Sequence, residues 1–385
     1  RFFWEGSGPK RKYHMVRWDA VCRPKAQGGL GITNTRILNI ALMCKWIWKL
    51  LQGATGLWVD LLRAKYFPSR NSFEGVARGS PFWNDLQAVR PAFAMGAKFG
   101  IGNGRSARFW LDHWVGTRPL WQDFQDLYSL AVNPEQHVAT VLASSPPAIF
   151  FKRELTGTEQ AHLTVLLDLI APVALSPHED TVTWSLTSSG KFSVKSLYRK
   201  LCQGQSSRVP KGLWNARLPL KIKVFFWQLF RNRLPTSANV AKRNGPSSGL
   251  CAICNVPEDA NHVFFRCPLA RFAWAAVRTA ANTTWNPSST ADLVAIMHSV
   301  QGGNKRVLWS CVGALAWALW LTRNKLAIEG IFPSHPANII YKCNLFLQQW
   351  SPLARRKDAE KLKQAQDRLR QVYVLAREPS ATSTT

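Results

Sequence analysis

The stretch "CAICNVPEDANHVFFRC", residues 251–267, contains three of the eight cysteines and one of the eight histidines of the chain. Its spacing is C-x2-C-x7-H-x4-C. Two cysteines separated by two residues can direct both sulfur atoms inward from one tight turn, and a histidine and a third cysteine can then complete a tetrahedron. Cys3His is a closed zinc-ligand set that leaves no position for water. The spacing predicts a structural Zn²⁺ site whose ligands are Cys251, Cys254, His262 and Cys267.

Two other interpretations of this cluster stay open at the sequence level. A C-x2-C pair also occurs in redox sites, and the four residues can also be ordinary thiols and a surface histidine that fall close together by coincidence. Single cysteines in apolar or mixed surroundings suit reduced core thiols better than a disulfide framework. The chain has five of these, namely Cys22, Cys44, Cys202, Cys311 and Cys343.

The charge of the chain is the first indication of a partner. Fifty Lys and Arg stand against 22 Asp and Glu in 385 residues, which gives a net charge of +28. Such an excess favours a polyanion, and we expect RNA or DNA ahead of an anionic membrane or a merely basic soluble protein. The chain has no apolar run of about 18 residues and no leading apolar block. We expect an intracellular protein, nuclear or cytoplasmic, without a membrane partner.

Apolar periodicity predicts a mainly α fold with small β-hairpins, divided into several units around a structural Cys3His zinc module. Apolar residues recur at three- and four-residue steps in most segments, which is typical of helices with one buried face. Asn103-Gly104 joins two alternating runs within residues 97–115, and Ser189-Gly190 does so within residues 182–194, so a hairpin is predicted at each. The nearly apolar stretch 307–321 predicts a helix between neighbours. An amphipathic helix within residues 353–378 is expected to dock on its own chain or on a partner.

Basic side chains precede the cysteine cluster without acidic neighbours. Between residues 208 and 277 the only carboxylates are Glu258 and Asp259. We therefore expect phosphate contacts rather than a simple solvated face. A second basic segment, Arg23 to Gly29, is either a phosphate contact or a plain surface turn. The candidate nucleic-acid-binding residues near the cluster are Lys221, Lys223, Arg231, Arg233, Lys242 and Arg243.

Three consecutive stretches resemble a known family. "WSLTSSGKFSVKSLY", "LWNARLPLKIKVFFWQLFRNRLPT" and "CAICNVPEDANHVFFRCPLARFAW" are similar to the reverse transcriptase zinc-binding domain of plant LINE-type, non-LTR retrotransposon polyproteins. The similarity covers about Val182 to Val277, and "WDAVCRPKAQGGLGI", "IGNGRSARFWLDHW" and "WALWLTRNKLAIEG" extend it to both sides. The resemblance implies that the four ligands bind zinc and that the domain helps to hold template RNA or target DNA.

The resemblance also implies a division of the chain. Because the first methionine is Met15, we expect a fragment whose polymerase palm lies upstream and acts as a partner. The expected segments are a helical thumb-like remnant (1–95), a hairpin-containing connector (96–181), the zinc-binding domain (182–280), a C-terminal helical region (281–378) and a disordered tail (379–385).

The carboxylates of the chain depart from the pattern of a polymerase. A reverse transcriptase holds two metal ions with clustered aspartates, normally including an Asp-Asp pair, and this chain contains no Asp-Asp dipeptide. We therefore expect no catalytic residue and no enzyme activity in this chain. The sequence predicts a non-catalytic, zinc-stabilised nucleic-acid-binding region. A structural or protein-interaction module and a non-functional relic of a retroelement are the alternatives.

Overall fold

The chain is divided into two compact units. Unit 1 combines residues 1–32 with residues 204–385, and unit 2 comprises residues 33–203. The predicted disordered tail lies outside the described residues. The computed structural model describes residues 15–66, 79–203, 209–210, 212–281, 283–300 and 302–378.

Helices dominate both units, which confirms the prediction of a mainly α fold. Short 3-10 turns at Lys25–Gln27 and Ser351–Leu353 and π-helical turns at His262–Arg266 and Lys325–Glu329 supplement them. The strands within the described residues are β1 (Ala97–Gly100) and β2 (Thr181–Trp184). The described helices, in chain order, are α1 (Trp18–Cys22), α2 (Thr35–Leu51), α3 (Leu57–Tyr66), α4 (Pro81–Ala88), α5 (Arg90–Ala94), α6 (Leu120–Asp123), α7 (Gln125–Leu130), α8 (Val138–Leu142), α9 (Gly157–Ile170), α10 (Val194–Leu201), α11 (Gly212–Asn215), α12 (Leu220–Phe230), α13 (Ser237–Ala241), α14 (Pro268–Ala281), α15 (Thr290–Ser299), α16 (Gly302–Asn324), α17 (Asn338–Trp350) and α18 (Arg356–Leu375).

The two strands of unit 2 pair with each other across more than eighty residues of chain, so both predicted hairpins were wrong. β1 and β2 are antiparallel, with Ala97 opposite Trp184 and Gly100 opposite Thr181. Alternate side chains of both strands are buried, which places Phe99 and Trp184 in one apolar core. The pairing is therefore decided by a core that only the folded chain assembles.

The Asn103-Gly104 turn closes on a carboxylate instead of joining two strands. Asp180 accepts hydrogen bonds from the backbone N–H groups of Gly102 at 2.7 Å, Gly104 at 2.8 Å and Ser106 at 2.8 Å. A Cβ at Gly102 would lie 2.3 Å from the carbonyl oxygen of His178, so the close approach requires glycine. The loop thus holds the start of β2 against the end of β1.

The second predicted hairpin has the predicted turn but lacks its second strand. Gly190 has φ +66°, and its carbonyl oxygen accepts a hydrogen bond from the Trp184 N–H at 2.8 Å. Residues 191–193 form no strand, and α10 begins at Val194. Leu197 of α10 is completely buried in the core of unit 2. The chain after the turn therefore packs on that core as a helix and not as a second strand.

Unit 1 is built around α16, which confirms the prediction of a helix between neighbours. α16 packs against α15, α17, α18 and the π-helical turn 262–266. α18 places Leu362 and Leu369 in the core of the same unit, so the amphipathic helix docks on its own chain. A partner for residues 353–378 stays a prediction. No helix within the described ranges combines the length and apolar character needed to cross a bilayer.

The sequence segments bounded at residues 95, 181, 280 and 378 are not the same divisions as the compact units. Residues of the first predicted segment occur in both units, because 15–32 belong to unit 1 and 33–66 to unit 2. The segments stay a prediction that rests on family resemblance.

Replacing Asp180 tests whether the carboxylate holds the strand pair together. Asp180→Ala leaves three backbone N–H groups without their acceptor, and we expect the free energy of unfolding of unit 2 to fall by about 2 kcal/mol. The measurement is urea unfolding of the full chain followed by tryptophan fluorescence. The control is Asp168→Ala on α9, an exposed carboxylate in the same unit, for which we expect a change below about 0.5 kcal/mol. Equal effects of the two substitutions would contradict the role of Asp180.

Candidate metal centre

The first two candidate ligands lie on a short closed loop. The Cys251 N–H donates to the Val256 carbonyl oxygen at 2.8 Å, and the Asn255 N–H donates to the Cys251 carbonyl oxygen at 2.9 Å. Asn255 has φ +54°, a left-handed conformation that asparagine tolerates better than most residues. The Ile253 N–H lies 3.4 Å from the Cys251 sulfur. The loop therefore turns both cysteines to the same side and directs a backbone dipole at one of the sulfur atoms.

The third and fourth ligands bracket the π-helical turn 262–266. The Asp259 carboxylate accepts a hydrogen bond from the His262 N–H at 2.6 Å, which fixes the start of the turn. The Cys267 N–H donates to the His262 carbonyl oxygen at 2.8 Å, which closes it. The Cys267 carbonyl oxygen then accepts from the Arg271 N–H at 2.9 Å, so Cys267 also starts α14.

The residues between these two ligands anchor the site in the core of unit 1. Val263, Phe264 and Phe265 are buried. Phe264 contacts Phe225 of α12 with ring centroids 5.6 Å apart, and its carbonyl oxygen accepts a hydrogen bond from Trp274 Nε1 at 2.7 Å. The position of the metal ligands is therefore coupled to the aromatic core.

The four predicted ligands converge. One ligand atom from each residue lies within 4.8 Å of the other three, and Cys254 Sγ is 3.2 Å from His262 Nε2. A tetrahedral zinc ion requires separations of about 3.8 Å between two sulfurs and about 3.6 Å between sulfur and nitrogen. Within the described residues this is the only group of three or more His, Cys, Asp or Glu side chains positioned to hold a metal ion. The donor set fits a four-coordinate ion, and small shifts of the side chains bring the ligand atoms to these separations.

When no metal is bound, burial favours the neutral forms of Cys254, His262 and Cys267. It raises the pKa of the Cys267 thiol to about 12 and also raises the pKa of Cys254, which is close to Cys251. It lowers the pKa of His262, so the imidazole is neutral and has a lone pair to offer. A divalent cation reverses the balance for the thiols, because it stabilises the thiolates that bind it. The cluster is suited chemically to a cation rather than to an anion.

A buried ion pair ties the cysteine loop to α16, and sequence analysis missed it. The Glu258 side chain is almost completely buried, and Arg323 Nε donates to Oε1 at 2.9 Å. The same oxygen accepts the Ser237 N–H at 2.7 Å. The Glu258 carbonyl oxygen accepts the Ala238 N–H at 3.1 Å. The signal available in the sequence was an acidic residue inside a strongly basic segment, but its partner lies 65 residues away.

The predicted nucleic-acid-binding residues are not all in one place. Lys223 lies on α12, and Arg231 and Arg233 follow its last residue, Phe230. Lys221 is exposed and packs its ammonium group over Trp317 at 5.7 Å. Lys242 is exposed beyond α13, whereas Arg243 donates to the carbonyl oxygens of Asn239 at 2.9 Å and Met15 at 3.4 Å. Contact of these six residues with nucleic acid stays a prediction.

The fold and the site define a basic, mainly helical chain with a Cys3His metal-binding loop. Residues 192–274 match the family described as zinc-binding in reverse transcriptase. A protein of Arabidopsis thaliana named "Putative ribonuclease H protein" is 30% identical over 291 residues, which cover 72% of this chain and 46% of that protein. An Arabidopsis thaliana protein named "Uncharacterized mitochondrial protein" is 32% identical over 117 residues, which cover 30% of this chain and 76% of that protein.

The chain belongs to the family of plant, retrotransposon-related proteins that carry the reverse transcriptase zinc-binding domain. It spans about half the length of the first of these two relatives, at 46%. No solved structure matches it.

Breaking the buried ion pair tests whether it supports the metal loop. Glu258→Gln removes the charge that compensates Arg323, and we expect the free energy of unfolding of unit 1 to fall by about 3 kcal/mol. The measurement is chemical denaturation of the full chain, with Glu329→Gln as the control because Glu329 is exposed at the end of the same helical segment. A loss no larger than that of the control would show that Arg323 does not depend on Glu258 for charge compensation.

Proposed function

We propose that this chain is a zinc-stabilised nucleic-acid-binding region of a LINE-type, non-LTR reverse transcriptase that holds template RNA or target DNA. The observation that carries the proposal is the convergence of Cys251, Cys254, His262 and Cys267 in a strongly basic unit. Polymerase chemistry is assigned to another part of such a protein. The absence of catalytic residues and the nuclear or cytoplasmic location stay predictions.

The ligand set supports zinc and a structural role. Three thiolates and one imidazole are soft and borderline donors, which favour Zn²⁺ over Mg²⁺ or Ca²⁺. When bound, zinc supplies cross-links that hold the cysteine loop and the π-helical turn 262–266 together. With four protein ligands no coordination position is left for a substrate, so the residues of this chain hold a fold at the site and transfer no group.

The charge distribution supports a polyanion as the partner of unit 1. Both carboxylates between residues 208 and 277 already have partners: Glu258 pairs with Arg323, and Asp259 accepts a hydrogen bond from the His262 N–H. Little negative charge is therefore available to compensate the positive charge of the basic side chains in the same segment. A surface of this kind attracts the phosphate backbone of a nucleic acid through charge, with little dependence on base sequence.

The metal content of the purified chain tests the first half of the proposal. We expect one zinc ion per chain by elemental analysis, and well under half of that for Cys251→Ser. Because structural zinc contributes on the order of 10 kcal/mol to folding, the variant should lose the cooperative unfolding transition of unit 1. The control is Cys202→Ser, which changes a cysteine of unit 2 outside the cluster and should keep the full zinc content. A wild-type chain that folds without zinc would contradict the proposal.

Binding of a labelled 20-nucleotide RNA and of the matching DNA across a salt series tests the second half. Each phosphate contact with a single strand adds about 0.7 to the slope of log K against log salt, and we expect a magnitude above about 2 for the wild-type chain. We expect the slope and the affinity to fall for Cys251→Ser and to be unchanged for Cys202→Ser. Weak binding that is independent of salt and equal in all three proteins would favour a protein-interaction module or a non-functional relic.

A further inference from the structure

The basic segment Arg23 to Gly31 forms a closed and well-defined turn in unit 1. The Gly29 N–H donates to the Pro24 carbonyl oxygen at 3.1 Å, and the Gly31 N–H donates to the Arg23 carbonyl oxygen at 3.0 Å. A Cβ at Gly29 would lie 1.8 Å from the Arg23 carbonyl oxygen, so only glycine fits. The turn therefore holds the backbone of Arg23 and Lys25 in fixed positions.

One face of α12 lies against this turn. Lys223, Trp227 and Arg231 are spaced four residues apart and so share a face of the helix. Trp227 Nε1 donates to the Gly28 carbonyl oxygen at 2.6 Å, and Arg231 Nε donates to the same oxygen at 3.3 Å. Eight residues of helix separate Lys223 from Arg231 by about 12 Å. The turn and the helix together form a ridge with cations at both ends.

A recess lies at each end of the ridge. The first has a volume of about 490 Å³ and is lined by Trp214, Arg217, Lys223 and Arg355, among others. Lys223 Nζ donates to the Trp214 carbonyl oxygen at 3.0 Å, and Lys25 Nζ lies 5.2 Å from the centroid of the Trp214 ring.

The second recess has a volume of about 800 Å³ and reaches the metal loop. It is lined by Arg23, Arg231, Arg233, Asn261 and Thr290, among others. Asp259 is its only acidic lining residue, and one of its carboxylate oxygens accepts the His262 N–H. The recess is therefore cationic and polar.

The lysines and arginines of the ridge and of the two recesses repel one another. Partial burial lowers the pKa of Lys223, with further contributions from Lys25 and Arg217, and it lowers the pKa of Arg231, with contributions from Arg23 and Arg233. Within the described residues none of these lysines and arginines forms an ion pair with a carboxylate. Uncompensated like charges held close together favour binding of an anion that spans them. The set, called the cationic track below, consists of Arg23, Lys25, Arg217, Lys223, Arg231, Arg233 and Arg355.

We propose that the cationic track binds the phosphodiester backbone of single-stranded nucleic acid, from the Trp214 recess along the ridge to the metal loop. This inference rests on the proposed function. It adds where the nucleic acid lies on unit 1 and that the bound nucleic acid is single-stranded. Recesses of 490 and 800 Å³ are the size of small-ligand pockets and accommodate one strand. A duplex, whose major groove alone is about 12 Å wide, does not enter them. The track also gives the Arg23 to Gly31 turn, which lies outside the matched residues 192–274, a part in binding.

Paired substitutions of exposed arginines distinguish binding at the cationic track from a general effect of the net charge of the chain. Arg217→Gln/Arg355→Gln removes two cations at the first recess, and Arg23→Gln/Arg233→Gln removes two at the second. Arg356→Gln/Lys363→Gln is the control, since it removes the same charge from exposed positions of α18 in the same unit. The probes are a 20-nucleotide oligo(U), a 20-nucleotide oligo(dT) and a 20-base-pair DNA duplex. Thermal unfolding of each variant checks that the fold is kept.

Each track pair should weaken binding of the single strands about 25-fold at 0.1 M salt and reduce the salt slope by about 1.4, which corresponds to two lost phosphate contacts. We expect less than a twofold change for the control pair and weaker binding of the duplex by the wild-type chain. Equal losses in track and control pairs, or duplex binding as tight as single-strand binding, would overturn the track and leave the proposed function standing. Failure of the wild-type chain to bind any of the three probes would overturn both.

Discussion

The π-helical turn 262–266 connects the metal centre to the core of unit 1. Its two ends hold His262 and Cys267, and the residues between them bury Phe264 and Phe265 among the aromatic side chains of α12, α14 and α16. Packing of these aromatic residues therefore also positions the two ligands, His262 and Cys267, in unit 1. This coupling fixes the position of the turn within the core of unit 1.

The Glu258–Arg323 pair adds a second connection, and its energetics differ from those of the metal site. Both charged groups are largely removed from water, which costs several kcal/mol for each ion, and only close pairing and further hydrogen bonds offset that cost. Glu258 also accepts the Ser237 N–H, so one carboxylate links the cysteine loop, α13 and α16. The pair therefore specifies where the loop docks more than it adds to net stability.

Glu258 and Asp259, the two carboxylates near the metal loop, both have partners there, and this leaves the nearby surface positively charged. Glu258 is buried and Asp259 accepts the His262 N–H, and the nearby lysines and arginines are left to interact with solvent or with an anion. The fold brings Arg23 and Lys25 to the same side as Lys223 and Arg231 through the shared contacts of Gly28. A segment near residue 25 and a helix near residue 225 thus form one basic surface beside the metal centre.

The sequence by itself determined the local features of this protein. The ligand set followed from spacing, because a C-x2-C turn and a nearby His and Cys are close in the chain and need little tertiary information to meet. The helix over residues 307–321 and the amphipathic helix within residues 353–378 followed from apolar periodicity. Only the tertiary structure decided the non-local features. The pairing of β1 with β2, the Asp180 contacts with residues 102–106 and the Glu258–Arg323 pair each join residues more than sixty positions apart. Hydrophobic patterning does not identify such partners. Each pairing depends on which apolar surfaces elsewhere in the chain must be buried and which polar groups still lack a hydrogen-bond partner.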